Sequence, residues 1–351
     1  MAFTGTANSE CRLSMIKAET MIKRIIQYLS AIILIITLSA CGAMAEGDNS
    51  GAIPIILDTD MESDVDDVGA LAMLHALADF GETEILGVMV CAKNPWSILC
   101  ADRINTYFNR EKLPLGQLRG PGVDRESRYA RGVAEEFPGN LQSADEAPDA
   151  VDQYRRLLAG QPDNSVIILS IGYLTNLRDL VNSGPDQYSN LNGQLLVEQK
   201  VRLWVCMGGM FPSGRESNIR WDTEASIEAI DKWPGEIIFS GWEIGLMDTG
   251  ADILDLPESN PVRRAYQLFG RIPHKNWDQV AVLYAVRGLD DGPSAHYWEL
   301  SGPGRLVIDP ADGSNTWEED PGGPHRHLIQ VGSDDEIARE IDELMMYVPQ
   351  R

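Results

Sequence analysis

The sequence predicts an α/β protein: a mainly parallel, Rossmann-like sheet flanked by helices, with a small antiparallel appendage at its C-terminal end. Three observations carry this expectation. Short apolar runs of strand type alternate with segments whose apolar residues recur at helical spacing. The alternation stops near Tyr297, where Gly-Pro and Pro-Gly turns begin to separate short strand-like pieces. A dense acidic stretch, Asp58-Thr59-Asp60-Met61-Glu62-Ser63-Asp64-Val65-Asp66-Asp67, sits between the first strand and the first helix, the rim where open parallel sheets place their ligand sites.

The elements follow in order. Ile53 to Leu57 is a buried-strand run, and Asp67 to Ala78 carries Val68, Leu71, Ala72, Leu74 and Leu77 on a helical period. Glu84 to Val90 reads as a strand and Trp96 to Phe108 as an amphipathic helix. Ser165 to Ser170 is a further buried strand, followed by a helix from about Leu174; Val201 to Met207 is the next strand, ending at Gly208-Gly209. Thr223 to Lys232 reads as a helix capped by Asp222, Glu236 to Ser240 as a strand, and Asn260 to Phe269 and Asp278 to Val286 as helices. A helix from about Asp334 to Tyr347 closes the chain after the antiparallel pieces between Tyr297 and Val331.

The segment ahead of the first strand has a different logic. Met21-Ile22-Lys23-Arg24 is basic, Ile25 to Thr37 is largely apolar, and Leu38-Ser39-Ala40-Cys41-Gly42 follows. That is the order of a secretory signal, and the apolar run is short for a membrane span. Leu-Ser-Ala-Cys is similar to a bacterial lipobox. The expectation is therefore a signal peptide over residues 1–41, lipidation of Cys41, an exported and membrane-attached lipoprotein, and a flexible tether over residues 42–51. The α/β domain then spans residues 52–351, with the appendage from about residue 297.

Composition narrows the partners. With 44% hydrophobic residues a full core can form, but 29 basic against 53 acidic residues leave a net charge of −24. Such a surface repels nucleic acid and anionic headgroups, so no nucleic-acid partner is expected. The five cysteines (Cys11, Cys41, Cys91, Cys100, Cys206) show no C-x-x-C spacing, and the last three lie in apolar runs as buried thiols would.

The acidic stretch is the main chemical signal. Five carboxylates, Asp58, Asp60, Asp64, Asp66 and Asp67, crowd one rim. Capping of the helix accounts for one or two of them, whereas the whole group calls for a hard divalent cation. An EF-hand is excluded, because the stretch follows a strand and has no glycine. A haloacid-dehalogenase-type phosphatase, with Asp58 as nucleophile and Asp60 as acid, leaves Asp64, Asp66 and Asp67 unexplained.

At this point the sequence resembles the nucleoside hydrolases of the inosine-uridine-preferring type. The acidic stretch looks like the longer-spacer variant of their Asp-x-Asp…Asp-Asp signature. Four later stretches extend the resemblance over most of Ile53 to Gly288: Ala92-Lys93-Asn94, Gly172-Tyr173-Leu174-Thr175-Asn176, Glu216-Ser217-Asn218 through Asp222-Thr223-Glu224-Ala225, and Trp277-Asp278. The resemblance implies Ca²⁺ held by Asp60, Asp67, Asp278 and the carbonyl of Ile171, with Asp60 also the general base. It implies sugar contacts from Asn94, Glu216 and Asn218, and from Asp66 or, given the longer spacer, Asp64. It implies hydrolysis of the N-glycosidic bond of a ribonucleoside to ribose and free base, and assembly into a homo-oligomer.

Trp277 stands where some relatives carry a histidine that protonates the leaving base. A tryptophan there suits stacking on a purine and supplies no acid. Trp96 and Trp221 are further candidates for the pocket, and His274 reads as a surface loop residue. The alternative expectation is a sugar-binding protein or a glycosidase of altered specificity on the same scaffold.

Overall fold

A computed structural model describes residues 51–350. The signal segment, Cys11, the lipobox with Cys41 and the tether up to residue 50 lie outside the described residues.

The strands form as expected because most are buried on both faces and so read as continuous apolar runs. They are β1 (Ile53–Thr59), β2 (Thr83–Val90), β3 (Leu115–Gln117), β4 (Val166–Ser170), β5 (Val201–Met207), β6 (Ile237–Ser240), β7 (Gly304–Ile308), β8 (Asn315–Glu319) and β9 (His325–Gln330). Their order in the sheet is β3-β2-β1-β4-β5-β6-β9-β7-β8, with Ser213–Gly214 at the far edge and Trp298–Leu300 paired to β9. All pairs from β3 across to β9 are parallel, and β7 and β8 are antiparallel. The tail therefore extends the main sheet, because β9 returns alongside β6 in parallel register before the direction reverses.

Helices cover both faces. α1 (Asp66–Asp79), α2 (Pro95–Tyr107), α9 (Pro261–Phe269), α10 (Trp277–Leu283) and α11 (Asp334–Met345) pack with Ile55 and Leu57 into one core. α4 (Ala150–Ala159), α5 (Thr175–Asn182), α6 (Gly193–Lys200) and α8 (Thr223–Lys232) pack with Ile56 into the other. The short helices α3 (Ala130–Glu136) and α7 (Ser217–Trp221) complete the set. Alternation of Ile55, Ile56 and Leu57 between the cores follows from the two-residue period of a strand. Helices α3, α4, α6 and α7 are additions to the expected set; α6, for example, buries only Gly193, Leu196 and Val197, whereas α4 does carry Ala150, Tyr154 and Leu158 at helical spacing.

α1 departs from amphipathic design. Every residue from Asp66 to Leu77 is buried, which places the helix inside the structure. His75, on this helix, pairs with Asn105 at 2.8 Å, and burial pushes its pKa down to about 3, so it is neutral. Cys91, Cys100 and Cys206 are buried free thiols. Among the described residues no helix is long and apolar enough to cross a membrane.

The sheet order reverses direction between β1 and β4, and open sheets bind ligands at that crevice. Asp58 pairs in register with Ser170 there. The two strand ends can approach because residue 172 is glycine: a Cβ at Gly172 would lie 2.6 Å from the Asp60 nitrogen and 2.7 Å from Cys91 Sγ. We expect Gly172→Ala to lower stability by about 1–3 kcal/mol, read as a shift in the urea midpoint. An unchanged midpoint contradicts the close packing of these strand ends.

Candidate metal centre

The loop after β1 folds back on the helix it leads into. The Thr59 hydroxyl donates to Asp67 Oδ1, and so does the Met61 backbone N–H at 3.2 Å. The Glu62 N–H donates to Asp60 Oδ1 at 2.8 Å. Met61 adopts φ of 52° while fully buried, an uncommon conformation for a side chain of this kind. The turn thus spends conformational energy to bring Asp60 back toward Asp67. Asp66 and Asp67 occupy the first turn of α1, where free N–H groups and the helix dipole favour negative charge.

A third carboxylate arrives from far along the chain. Asp278, in the first turn of α10, donates its backbone N–H to Asp66 Oδ2 at 3.4 Å. Asp66, Asp67 and Asp278 are all buried, and one carboxylate oxygen from each lies within 4.8 Å of the others. Burial first, and then the mutual repulsion of the group, raises the pKa of all three well above the ordinary range. Asp60 is raised in the same way, by burial and by the neighbouring Glu62 and Asp64 carboxylates. Asp66 Oδ1 is buried without a hydrogen-bond partner. An oxygen-only donor set with an orphaned carboxylate oxygen fits a hard divalent cation.

A cleft of about 430 Å³ opens onto this group. Asp60, Asp64, Asp66, Asp67, Ile171, Glu216, Asn218, Trp277 and Asp278 all line it. Ile171 follows β4; its N–H donates to the Asp58 carbonyl at 2.8 Å, and its own carbonyl accepts from Asn218 Nδ2 at 3.1 Å. Glu216 caps α7, accepting from the N–H groups of Asn218 at 2.7 Å and Ile219 at 3.2 Å, and also from Gly209 at 3.3 Å. Burial pushes its pKa up to about 7 despite those bonds. Trp277 donates its indole N–H to the Trp242 carbonyl at 2.8 Å, and the two rings stack with centroids 6.3 Å apart.

Other expected residues lie elsewhere. Asn94 does not line the cleft: its side chain caps α2 through the Trp96 N–H at 3.0 Å and donates to the Arg125 carbonyl at 2.9 Å. Asp58 is fully buried beneath the site, accepting from the Tyr154 hydroxyl at 2.8 Å and Asn176 Nδ2 at 3.0 Å. A buttress so enclosed cannot serve as the nucleophile of a phosphatase. Trp96 and Trp221 are drawn away by arginines, Arg131 at 5.3 Å and Arg125 at 4.2 Å from their rings. His274 is no surface residue; it is 8% exposed.

Three residues that sequence reasoning passed over belong to the region. Glu62 is buried, accepts from the Arg125 N–H and the Tyr173 hydroxyl at 3.2 Å each, and is pushed up to about 7 by burial. Trp242 lines the cleft beside Trp277, and His274 stands beside Asp64. Glu62 was visible as an acid within an acidic run, whereas Trp242 and His274 carry no local signal.

Comparison with known proteins agrees with this geometry. The model of the family described as inosine-uridine preferring nucleoside hydrolase matches residues 55–290. The chain belongs to this family. Solved structures similar to it include an inosine-uridine preferring nucleoside hydrolase from Bacillus anthracis, at 16% identity and a TM-score of 0.62, covering 84% of this chain and 99% of that one. A plant nucleoside hydrolase is similar at 18% identity and a TM-score of 0.60, with the same coverage. The type III effector protein XopQ, complexed with adenosine diphosphate ribose, is similar at 15% identity and a TM-score of 0.59, covering 85% of this chain and 94% of that one. At such identities these likenesses establish the fold. No curated protein matches the chain in sequence.

In this nucleoside hydrolase family member the raised carboxyls set a sign for pH dependence. Asp58 and Glu216 titrate at about 7 in the fold, against ordinary values of 3.8 and 4.5. Between those limits the folded state holds protons that the unfolded state has released, so stability falls as pH rises. With chelator present, the unfolding free energy should therefore fall from about pH 4 to about pH 7. A divalent cation held by Asp60, Asp67 and Asp278, whose own carboxyls are raised by burial and repulsion, should displace their protons and bind more tightly as pH rises, with proton release visible as buffer-dependent calorimetric enthalpy. Stability that rises through this interval, or binding without proton release, contradicts the assignment.

Proposed function

We propose that the chain hydrolyses the N-glycosidic bond of ribonucleosides in a calcium-dependent reaction, giving ribose and free base. The observation that carries this reading is the convergence on one cleft of Asp60, Asp67, Asp278 and the Ile171 carbonyl with the polar groups of Glu216 and Asn218. Calcium held by the first four would supply positive charge that lowers the pKa of a water and orients a vicinal diol.

The chain's own residues account for the rest. Asp60, buried and with its pKa raised, would take the proton of the attacking water. Asp66 and Asp64 line the cleft and would meet sugar hydroxyls there, together with Glu216 and Asn218, which also line it. Groups that grip hydroxyls more strongly as the ring flattens toward an oxocarbenium ion contribute to the rate. The stacked pair Trp242 and Trp277 offers an apolar wall to the base, which favours a purine. Neither indole can donate a proton at neutral pH, so the departing base takes its proton from solvent.

A second reading draws support from the same tryptophans: a sugar-binding protein or a glycosidase of altered specificity. The likeness to an effector complexed with adenosine diphosphate ribose also speaks for it. Export and membrane attachment through Cys41 rest on the residues from Met21 to Cys41 alone.

Purified protein incubated with inosine, guanosine, adenosine or uridine should release free base with calcium and not with chelator. Asp67→Asn and Asp278→Asn should each lower kcat/KM on the order of 100-fold or more, since even the supports of metal ligands are worth about 10–100-fold. Trp277→Ala should raise KM for purine nucleosides about 10-fold, the scale of one base–aromatic stack. Tight ribose binding without turnover supports the second reading, and phosphate release from a phosphomonoester contradicts both.

A further inference from the structure

Beside the oxygen-lined centre lies a group of different chemistry. Asp64, Asp66 and His274 each place one ligand atom within 4.8 Å of the other two. His274 comes from the short strand His274–Lys275, paired antiparallel with Asp248–Thr249. Its ring is held edge-on by Phe269 at 4.8 Å and Trp277 at 6.1 Å. The imidazole therefore has little freedom to turn away.

Two features say that this group is more than an ion pair. His274 is 8% exposed, and its Nε2 is buried without a hydrogen-bond partner. Its nearest carboxylate oxygen, Asp64 Oδ2, is 3.8 Å away, beyond the reach of a hydrogen bond. Asp66 Oδ1 is likewise buried and unpartnered. An unhindered histidine and carboxylate close to about 2.8 Å. Donors that share a metal stand about 3–3.5 Å apart, the edge of a polyhedron with metal–ligand bonds near 2.1 Å, so the gap between His274 and Asp64 would close slightly around an ion.

We propose that Asp64, Asp66 and His274 form a second cation site, suited to a borderline divalent metal such as zinc, with Asp66 shared with the adjoining Asp67 and Asp278 carboxylates, so that under the proposed function the sugar hydroxyls would meet Asp64 and Asp66 through this ion. Imidazole suits zinc, copper, iron and nickel, whereas calcium takes oxygen ligands. The shared carboxylate makes the arrangement binuclear, a hard site and a borderline site on one residue. Two-metal centres with ions about 3.5–4 Å apart are an established chemical pattern. The proposal does not depend on the substrate being a nucleoside.

The test is metal stoichiometry of the chelator-stripped full chain. Loaded with calcium and zinc together, the wild type should retain one equivalent of each. Cobalt substituted for zinc should give a visible absorption band with the intensity of a nitrogen-ligated ion. His274→Gln should weaken zinc binding about tenfold or more and abolish the band, leaving calcium affinity and the thermal midpoint of the calcium form unchanged, and Asp64→Asn should likewise weaken zinc and abolish the band. Asp278→Asn should weaken calcium in preference to zinc. Zinc that displaces calcium one for one in the wild type overturns the proposal, as does a cobalt band that survives in His274→Gln. Loss of nucleoside hydrolysis alone bears on the catalytic reading and leaves these readouts intact.

Discussion

Four carboxylates, Asp60, Asp66, Asp67 and Asp278, are buried against one another at the end of β1, and much of the surrounding architecture follows from holding them there. Each ionised carboxylate taken out of water costs several kcal/mol unless something compensates. The compensation available within the chain is partial: the first turn of α1, the Thr59 hydroxyl and the backbone N–H groups of Met61 and Glu62. The remainder has to come from protons or from a cation. The left-handed Met61, the glycine at 172 and the wholly buried α1 hold the group together against its own repulsion.

The sequence and the structure meet unevenly around this group. Strands β1, β4 and β5 were legible because burial on both faces leaves unbroken apolar runs, and the acidic stretch was legible because five carboxylates at one junction exceed any capping need. Asp278 could be joined to that stretch only through family resemblance, since no local pattern reports a contact across more than 200 residues. His274 was misjudged for a related reason: a histidine in a short polar segment reads as surface, while its burial depends on Phe269 and Trp277 closing around it. Asn94 kept the strand-end position expected of it, but its side chain satisfies α2 and the Arg125 loop. The antiparallel tail forms as its turns and short strand pieces suggest, while β9's parallel pairing with β6 leaves no trace in its composition.

Several residues serve structure and site together. Glu216 lines the cleft while its carboxylate caps α7, so any sugar it contacts meets an oxygen already oriented by backbone N–H groups. Asn218 bridges the Ile171 and Met207 carbonyls and thereby ties the ends of β4 and β5. Asp58 holds Tyr154 and Asn176 under the floor. In the same cleft, Trp242 and Trp277 form a stacked wall joined by one indole hydrogen bond. The division matches a ligand with a hydroxyl-rich half and a flat half.

The central claim, that the buried carboxylates are compensated by a divalent cation, is tested most directly by calorimetric unfolding of metal-stripped protein at neutral pH across a calcium titration. The midpoint should climb with the logarithm of free calcium, equivalent to about 2.7 kcal/mol once calcium reaches 100 times its Kd. A midpoint that stays level from chelator to millimolar calcium would contradict it.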